Sequence, residues 1–320
     1  MAEILDTSDE ALSRAAEVLA AGQLVAIPTE TVYGLAADAT NGEAVARIFE
    51  AKGRPRFNPL ICHVSSFEMA GRLAIFDPLS RKLADAFWPG PLTLVLPLRE
   101  GSRIHPLVAA GLDTVALRMP RGIAARIIAR LDRPLAAPSA NSSGKISATS
   151  AAAVQDDLGS KIPLILDAGP CPVGLESTIV KVTGGEISLL RPGGLSAEDI
   201  GRLTGKALKR LDQRTAIQAP GMMASHYAPS AQVRLNATAV SSNEALLAFG
   251  PARVSGADQA KAVLNLSERG DLREAATHLF DYMKRLDGNG VSSIAVEPVP
   301  MEGLGEAIND RLARAAAPRI

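Results

Sequence analysis

Apolar positions in the first two-thirds of the chain follow two patterns, helical spacing and short continuous runs. Leu12, Ala15, Ala16 and Leu19 recur every three or four residues, which predicts an amphipathic helix that ends at Gly22. Similar spacing predicts helices at 44–51, 77–87, 122–131 and 150–158. Continuous apolar runs predict strands at 24–28, 61–64, 92–98, 114–119 and 163–167.

A hairpin interrupts this alternation of strands and helices. Residues 177–182 and 187–191 read as two strands, and the Thr-Gly-Gly sequence at 183–185 between them is a strong turn signal. Hairpins need antiparallel pairing, whereas strand–helix–strand units favour parallel pairing. The sequence therefore predicts an α/β fold with a mixed sheet.

The pattern changes near residue 208. Residues 211–230 show no hydrophobic period and exceed the length of an ordinary loop, so they predict a linker or a functional lid. Strands are then predicted at 232–235, 245–249, 262–266 and 293–296, with helices at 271–286 and 305–316. This arrangement predicts a small doubly wound, Rossmann-like α/β domain. The predicted division is a domain at 1–207, a linker or lid at 208–230 and a second domain at 231–320.

Composition narrows the classes of protein that this chain can represent. The 320 residues are 47% hydrophobic and 21% charged, which excludes a disordered chain and suits about two domains. Thirty-four basic residues balance 34 acidic ones, and aromatic residues make up 3%. Nonspecific binding of nucleic acid and single-strand base stacking are therefore disfavoured.

Targeting signals and cysteine usage indicate the compartment. No apolar run is long enough to span a membrane, and acidic residues stand where a signal peptide would carry basic ones. Cys62 and Cys171 fit neither a disulfide framework nor a metal-binding pair. We expect a cytoplasmic protein without membrane contact.

Common catalytic motifs are absent from the sequence. It contains no GxxxxGK[ST] or GxGxxG phosphate loop, no HExxH zinc motif and no GxSxG nucleophile elbow. The four histidines lie too far apart to suggest a metal cluster, so we predict no metal ligands among the side chains.

Cationic and hydroxyl side chains at predicted strand ends and loops are the remaining candidates. Lys52, Arg54 and Arg56 share a proline-containing loop, and Arg118 and Arg191 end two predicted strands. Guanidinium groups bind phosphate or carboxylate through paired hydrogen bonds, so these residues fit a nucleotide or a carboxylate ligand.

Each candidate also has an ordinary structural explanation. Arg54 and Arg56 fit solvated surface charges, and the serines of the loop 139–147 fit local turn caps. His63 lies between apolar neighbours, which is typical of a core histidine, and Thr31 fits a strand end. No single residue decides between these explanations.

A resemblance to one family covers most of the chain. The sequence is similar to the threonylcarbamoyl-AMP synthases, which carry a YrdC-type domain. In the N-terminal part the strings that carry the resemblance are IPTETVYGL at 27–35, KGRPRFNPL at 52–60, PGPLT at 89–93, APSAN at 137–141 and LRPG at 190–193. In the C-terminal part they are PGMMASHYAP at 220–229 and GLGEAINDRL at 303–312, which resemble the two-domain branch.

The resemblance implies a fold, a reaction and a set of site residues. It implies a YrdC-type twisted mixed sheet with helices, and condensation of L-threonine, bicarbonate and Mg2+-bound ATP into threonylcarbamoyl-adenylate with release of pyrophosphate. The product would pass to a separate transferase that modifies an adenosine beside the tRNA anticodon. The implied catalytic residues are Lys52 and Arg54. The implied L-threonine pocket comprises Thr31, His63, Arg118, Ala137 and Ser177. The implied ATP site comprises Lys52, Arg54, Asn58, Thr114, Ser139, Asn141, Ser147, Arg191 and, from the linker, Tyr227.

Two other functions stay open at this point. A non-catalytic, RNA-binding or translation-associated factor would need a contiguous basic surface. The weak candidate for that surface comprises Arg118, Arg121, Arg126, Arg130 and Arg133, and the ordinary explanation is a solvated face paired with acids. A carbamoyl transferase acting on a protein or metabolite is the third possibility, but the resemblance of the second domain favours the synthase.

Overall fold

The computed structural model describes residues 1–210, 226–288 and 290–318 of the chain. Its strands are β1 (Glu3–Leu5), β2 (Val25–Ile27), β3 (Gly34–Asp38), β4 (Ile61–His63), β5 (Leu92–Pro97), β6 (Thr114–Arg118), β7 (Leu135–Ala136), β8 (Leu164–Leu166), β9 (Thr178–Thr183), β10 (Glu186–Arg191), β11 (Lys209–Arg210), β12 (Gln232–Arg234), β13 (Ala245–Ala248), β14 (Ala262–Asn265) and β15 (Ser293–Val296). Its helices are α1 (Asp9–Ala20), α2 (Gly42–Lys52), α3 (Phe67–Leu73), α4 (Pro78–Phe87), α5 (Pro106–Ala109), α6 (Ile123–Leu131), α7 (Ala151–Leu158), α8 (Ala197–Thr204), α9 (Leu272–Asp287) and α10 (Gly305–Ala316), with a short 3-10 helix at Ala257–Gln259.

The first eleven strands form one mixed sheet in the described part of the chain. Their order is β1-β8-β2-β3-β7-β4-β6-β5-β9-β10-β11. β4 and β6 are parallel, and their register sets His63 beside Arg118. β7 runs antiparallel to β4, with Leu135 opposite His63. The sheet thus brings the ends of β4 and β6 and the start of the 137–147 loop together.

The second sheet contains β12, β15, β13 and β14 in that order, and all its neighbouring pairs are parallel. α9 and α10 supply buried faces that include Leu279, Phe280 and Leu312. Consecutive parallel strands require crossover connections, and here α9 provides the crossover from β14 to β15. The predicted fold class, a mixed α/β sheet followed by a small Rossmann-like domain, is confirmed.

The end of α2 positions the loop that contains Arg54. Asn41 caps the helix by accepting hydrogen bonds from the backbone of Glu43 and Ala44. At the other end Gly53 adopts φ 61°, a left-handed conformation that glycine takes without steric cost. The chain therefore turns sharply after Lys52 and enters the proline-containing loop.

The two domains share a hydrophobic core. Val32 and Leu175 belong to the same buried cluster as Tyr227 and Phe280, so the packing of the C-terminal domain includes residues of the large sheet's loops. Thr277 donates a hydrogen bond to the Pro172 carbonyl at 2.9 Å.

Two ion pairs join the domains outside this core. Lys284 lies 3.0 Å from Asp156, and Arg210 lies 2.6 Å from Glu306. These two pairs are partly exposed and contribute little to stability, so the shared apolar core provides most of the contact between the domains.

The structure contains elements that the hydrophobic pattern did not predict. β3 carries the sequence GLAAD, and its five residues are all buried. Its small residues bury too little area to stand out as an apolar run. α3, α8 and β1 are also additional, and β11 lies within the segment predicted as the linker. Residues 211–225 of that predicted lid lie outside the described residues.

We expect Gly193→Ala to lower the free energy of unfolding by about 1–3 kcal/mol, because overpacking forces the backbone to move. An added Cβ would lie 2.5 Å from the Ser177 carbonyl carbon and closer still to the Glu176 carbonyl oxygen. Gly71→Ala, in α3, is the matched control: its Cβ meets nothing within 4 Å, and it should stabilise the helix by about 0.5–1 kcal/mol. Urea denaturation measures both. Equal stabilities of the two variants would contradict this account of Gly193.

Candidate active site

A cavity opens where the ends of β4, β6 and β10 meet the 137–147 loop. It has an empty volume of about 570 Å³. Its walls are formed by Thr29, Thr31, Val32, Gly34, Arg54, Ile61, His63, Arg118, Ala137, Pro138, Ser139, Glu176, Ser177, Arg191, His226 and Tyr227. The lining combines three guanidinium groups with hydroxyl groups and one carboxylate, a composition suited to an anionic ligand.

Most of the predicted site residues lie in or next to this cavity. The cavity wall contains the whole predicted L-threonine set, namely Thr31, His63, Arg118, Ala137 and Ser177, and four of the predicted ATP residues, namely Arg54, Ser139, Arg191 and Tyr227. Lys52, Asn58, Asn141 and Ser147 are buried but do not line it. Thr114 begins β6, paired with Pro97, about 13 Å along the strand from Arg118, and stands apart from the cavity.

Arg118 is oriented by three contacts. Its Nε donates to the Gly90 carbonyl at 3.2 Å and its Nη1 donates to Thr31 Oγ1 at 2.8 Å. Its Nη2 lies 2.7 Å from Glu30 Oε1 in a buried ion pair. Glu30 was missed by the sequence analysis although it stands inside the IPTETVYGL string. A ligand carboxylate that reaches Arg118 therefore meets a guanidinium already fixed in place and partly neutralised.

His63 is neutral in the folded protein. Burial, reinforced by the nearby Arg118, lowers the pKa of its imidazole to about 3. Nδ1 lies 3.3 Å from the Ile61 carbonyl oxygen, which can only accept, so this contact favours the tautomer with the proton on Nδ1. Both explanations of this residue hold together: His63 is buried in the sheet and also lines the cavity.

Ser177 connects the two sides of the cavity. Its hydroxyl lies 2.7 Å from that of Thr93, and its carbonyl accepts hydrogen bonds from Arg191 at 2.9 and 3.2 Å. Thr93 is another residue that the sequence analysis missed, although it closes the PGPLT string. Arg191 is thereby held with its charge inside the cavity wall.

Lys52 and Arg54 stabilise the loops around the cavity. Lys52 Nζ donates to the carbonyls of Ser139, at 2.6 Å, and Asn141. Arg54 donates to the carbonyls of Asn58 and Pro59. Burial, and then the neighbouring Arg54, bring the pKa of Lys52 well below its usual value. Arg54 is buried, so its explanation as a solvated surface charge is wrong, whereas Arg56 is exposed.

Glu176 supplies negative charge beside these cations. Its carboxylate accepts hydrogen bonds from Ser147 Oγ at 2.6 Å and from Arg311 Nε at 2.8 Å. Burial raises the pKa of this carboxyl, but Arg311 and Arg191 outweigh burial and bring it to about 2. Neither Glu176 nor Arg311 was predicted as a site residue. Glu176 is ionised at every pH at which the protein would work.

Tyr227 closes the cavity from the side of the second domain. Its ring centroid lies 5.4 Å from that of Phe280 and 5.2 Å from the Arg311 guanidinium carbon. The His226 ring packs edge-on at 4.1 Å. Tyr227 adopts φ 63°, a left-handed conformation that is uncommon for a bulky residue. The described end of the linker thus contributes two rings to the wall.

Residues 1–210, 226–288 and 290–318 contain no group of three or more His, Cys, Asp or Glu side chains arranged to hold a metal ion. Within the same ranges no helix combines the length and the apolar character needed to cross a bilayer.

The fold and the site together define a two-domain α/β protein with a cation-rich pocket, and comparison with known proteins identifies its family. The Sua5/YciO/YrdC family model, whose description reads "Telomere recombination", matches residues 17–193. The model of the threonylcarbamoyl-AMP synthase C-terminal domain matches residues 195–317. This chain belongs to the threonylcarbamoyl-AMP synthase family.

Full-length relatives agree with this assignment. The threonylcarbamoyl-AMP synthase of Pyrococcus abyssi is 43% identical, over 96% of this chain and 94% of its own length. That of Bacillus subtilis is 40% identical, over 99% and 96%. The crystal structure of P. abyssi Sua5 complexed with L-threonine superposes with a TM-score of 0.90 at 40% identity, over 98% of this chain and 97% of that one.

The buried histidines predict a stability that falls in mild acid. Burial lowers the pKa of His63 and of His226 to about 3, from 6.5. Between these values the unfolded chain takes up protons that the folded chain refuses, so unfolding becomes easier as pH falls. From pH 7 to pH 5 we expect a loss of about 1–2 kcal/mol per histidine, measured by urea denaturation. His63→Gln and His226→Gln should each flatten the dependence. A dependence as steep as that of the parent chain in both variants would contradict it.

Proposed function

We propose that this protein joins L-threonine, bicarbonate and ATP to form L-threonylcarbamoyl-adenylate and releases pyrophosphate. The observation that carries the proposal is one cavity whose wall contains the five predicted L-threonine residues together with Arg54, Arg191 and Ser139. The similarity to a P. abyssi protein crystallised with L-threonine supports it.

Arg118 is the proposed partner of the L-threonine carboxylate. It is buried, and its contacts with Gly90 and Thr31 hold the guanidinium in one orientation. Preorganised charged donors bind a carboxylate at small entropic cost. The hydroxyls of Thr31 and Ser177 and the lone pair on His63 Nε2 are the proposed partners of the remaining polar groups of threonine.

The reaction needs the amine of threonine in its neutral form. The neutral amine attacks the carbon of CO2 or bicarbonate and gives a carbamate, with loss of a proton and, from bicarbonate, of hydroxide. Nearby cations disfavour an ammonium group, and three guanidinium groups line this cavity. His63, whose pKa is about 3, is too weak a base to hold this proton, so with bicarbonate the proton is proposed to leave with the released hydroxide as water.

Adenylation then joins two anions. A carbamate oxygen attacks the α-phosphorus of ATP, the bond to the β-phosphate oxygen breaks, and pyrophosphate leaves with the bonding electrons. Two unit charges at 4 Å repel by about 4 kcal/mol at an effective dielectric near 20. Lys52 and Arg54 are the proposed catalytic residues that offset this repulsion, together with Arg191. No covalent intermediate with the protein is required.

The nucleotide and its metal complete the proposal. ATP is proposed to bind at the cationic side of the cavity through Lys52, Arg54 and Arg191, with Asn58, Ser139, Asn141, Ser147 and Tyr227 nearby and Thr114 as the distant member of the set. Mg2+ is proposed to enter bound to the phosphates as part of the substrate. The product is an activated mixed anhydride, so a tRNA-modifying transferase is the proposed acceptor downstream.

The pairing of the surface arginines gives little support to the RNA-binding alternative. Arg126 and Arg130 both pair with Asp9, at 2.8 and 3.2 Å, and Arg133 pairs with Asp38. Arg118 is buried in the cavity. The candidate basic stripe is therefore largely neutralised by neighbouring acids.

Mass spectrometry of the purified protein tests the proposed reaction. We expect a threonylcarbamoyl-adenylate mass, with matching pyrophosphate, after incubation with ATP, Mg2+, bicarbonate and L-threonine. Omission of any one component should abolish the adduct. Pyrophosphate without this adduct would indicate adenylation of another acid, and the absence of both from folded protein would overturn the proposal.

Arg118→Gln should raise the KM for L-threonine by about 10- to 100-fold, because a charge-assisted hydrogen bond is lost. The KM for ATP should change little. Arg126→Gln is the matched control: it removes a surface arginine paired with Asp9 and should leave both KM values unchanged. Since Arg118→Gln strands the buried Glu30, the double variant with Glu30→Gln is measured as well. An unchanged L-threonine KM in folded protein would exclude this role for Arg118.

A further inference from the structure

Arg311 reaches from the second domain to the wall of the cavity. It lies on α10, the last helix, and its side chain is completely buried. Its Nε donates to Glu176 Oε2 at 2.8 Å, and its Nη1 donates to Asp310 at 2.6 Å. Its guanidinium also lies over the ring of Tyr227. A buried arginine with these contacts fixes both the carboxylate and the ring against the cavity.

Glu176 links Arg311 to the cavity. It lines the cavity, and its second oxygen accepts the hydroxyl hydrogen of Ser147. The Gly194 N–H donates to its carbonyl, and the missing side chain of Gly193 leaves room for the same backbone. The backbone of Glu176 is thus held by the N-terminal domain, whereas its carboxylate is held from both domains.

The ion pair between Arg311 and Glu176 affects the charge balance of the cavity wall. The carboxylate of Glu176 is the acidic group of the cavity lining, among the described residues, on the side of Arg191, Arg54 and Lys52. A buried carboxylate that loses its paired cation is driven towards the neutral form. Loss of Arg311 would therefore change the charge of the wall.

We propose that Arg311 is a positioning residue of the synthesis site. Through its ion pair with Glu176 it sets the position and charge of that carboxylate in the cavity wall. Docking of the C-terminal domain thereby completes a site that is otherwise built by the N-terminal domain. This inference rests on the proposed function only because its kinetic test measures adenylate synthesis.

Kinetics of full-length variants test the inference. Arg311→Gln should lower kcat/KM by at least about 10-fold, which corresponds to one charge-assisted hydrogen bond. Arg311→Lys should recover part of the loss because it keeps the cation. Arg210→Gln is the matched control, since it removes a partly exposed pair between the same helix and the N-terminal sheet and should stay within about two-fold. Full activity of Arg311→Gln, or an equal loss in Arg210→Gln, would overturn the inference.

A pH profile separates positioning from simple structural support. In Arg311→Gln the pKa of Glu176 should rise, so kcat/KM should gain an acidic limb that the parent chain lacks. Glu176→Gln added to Arg311→Gln should remove that limb. The charged or titratable groups that face Glu176 from the packed elements are Arg311 with Asp310, Arg191, Lys52, His226 and Tyr227. A profile that is lower at every pH but unchanged in shape would overturn the positioning role.

Two further measurements test the inference if Arg311→Gln does not fold or if the parent chain is inactive. Should Arg311→Gln fail to fold, the double variant Glu176→Gln with Arg311→Met removes both charges of the ion pair. If this variant is folded yet inactive, the inference holds, and if it is active, the inference fails. The parent chain is assayed first. If the parent chain makes no adenylate, the proposed function fails, and the role of Arg311 is then tested by MgATP binding to the same variants. Weaker MgATP binding in Arg311→Gln but not in Arg210→Gln supports the inference. Equal binding in the two variants overturns the inference.

Discussion

The structure depends on the burial of several like charges in one small volume. Arg54, Arg118 and Arg191 line the same cavity, Lys52 is buried next to it, and each of the four is less than a tenth exposed. Charges of one sign taken out of water cost far more than an apolar core of equal size, unless hydrogen bonds and counter-charges offset the cost. Backbone carbonyls supply most of those hydrogen bonds, from the loops after α2 and β7 and from the turns before β5 and β9. The shapes of these loops, with their glycines and prolines, follow from this requirement.

Two carboxylates provide the counter-charge, and they belong to different parts of the architecture. Glu30 pairs with Arg118 inside the N-terminal domain, on the side that contains Thr31 and His63. Glu176 lies on the side of Arg191, and its own cation comes from the second domain. One half of the cavity is therefore complete within the N-terminal domain, whereas the other half combines groups from both domains. The C-terminal domain is consequently part of the site's electrostatics as well as of its packing.

Sequence patterns predicted some strands and site residues correctly and missed others. The strands that end in His63, Arg118 and Arg191 were predicted from short apolar runs, and the four parallel strands of the second domain were predicted nearly to the residue. β3 was missed because glycine and alanine give no hydrophobic signal, although the strand is wholly buried. Glu30, Thr93 and Glu176 were missed for another reason. An isolated acid in a loop is typical of a solvated surface, a lone threonine is an ordinary strand residue, and nothing local reveals which distant polar group each of them faces.

The sequence by itself determined the fold class, the family and the set of polar residues that the strings around 27–35, 52–60, 137–141 and 190–193 contain, because those properties depend on local order and composition. Only the tertiary structure decided which of these residues meet, that Arg54 is buried and Arg56 exposed, and that Arg311 stands 2.8 Å from Glu176 across 135 positions of the chain. Pairing between distant charges is a property of packing: it exists once the sheets, the loops and the second domain occupy their places, and the charge state of each group follows from that burial.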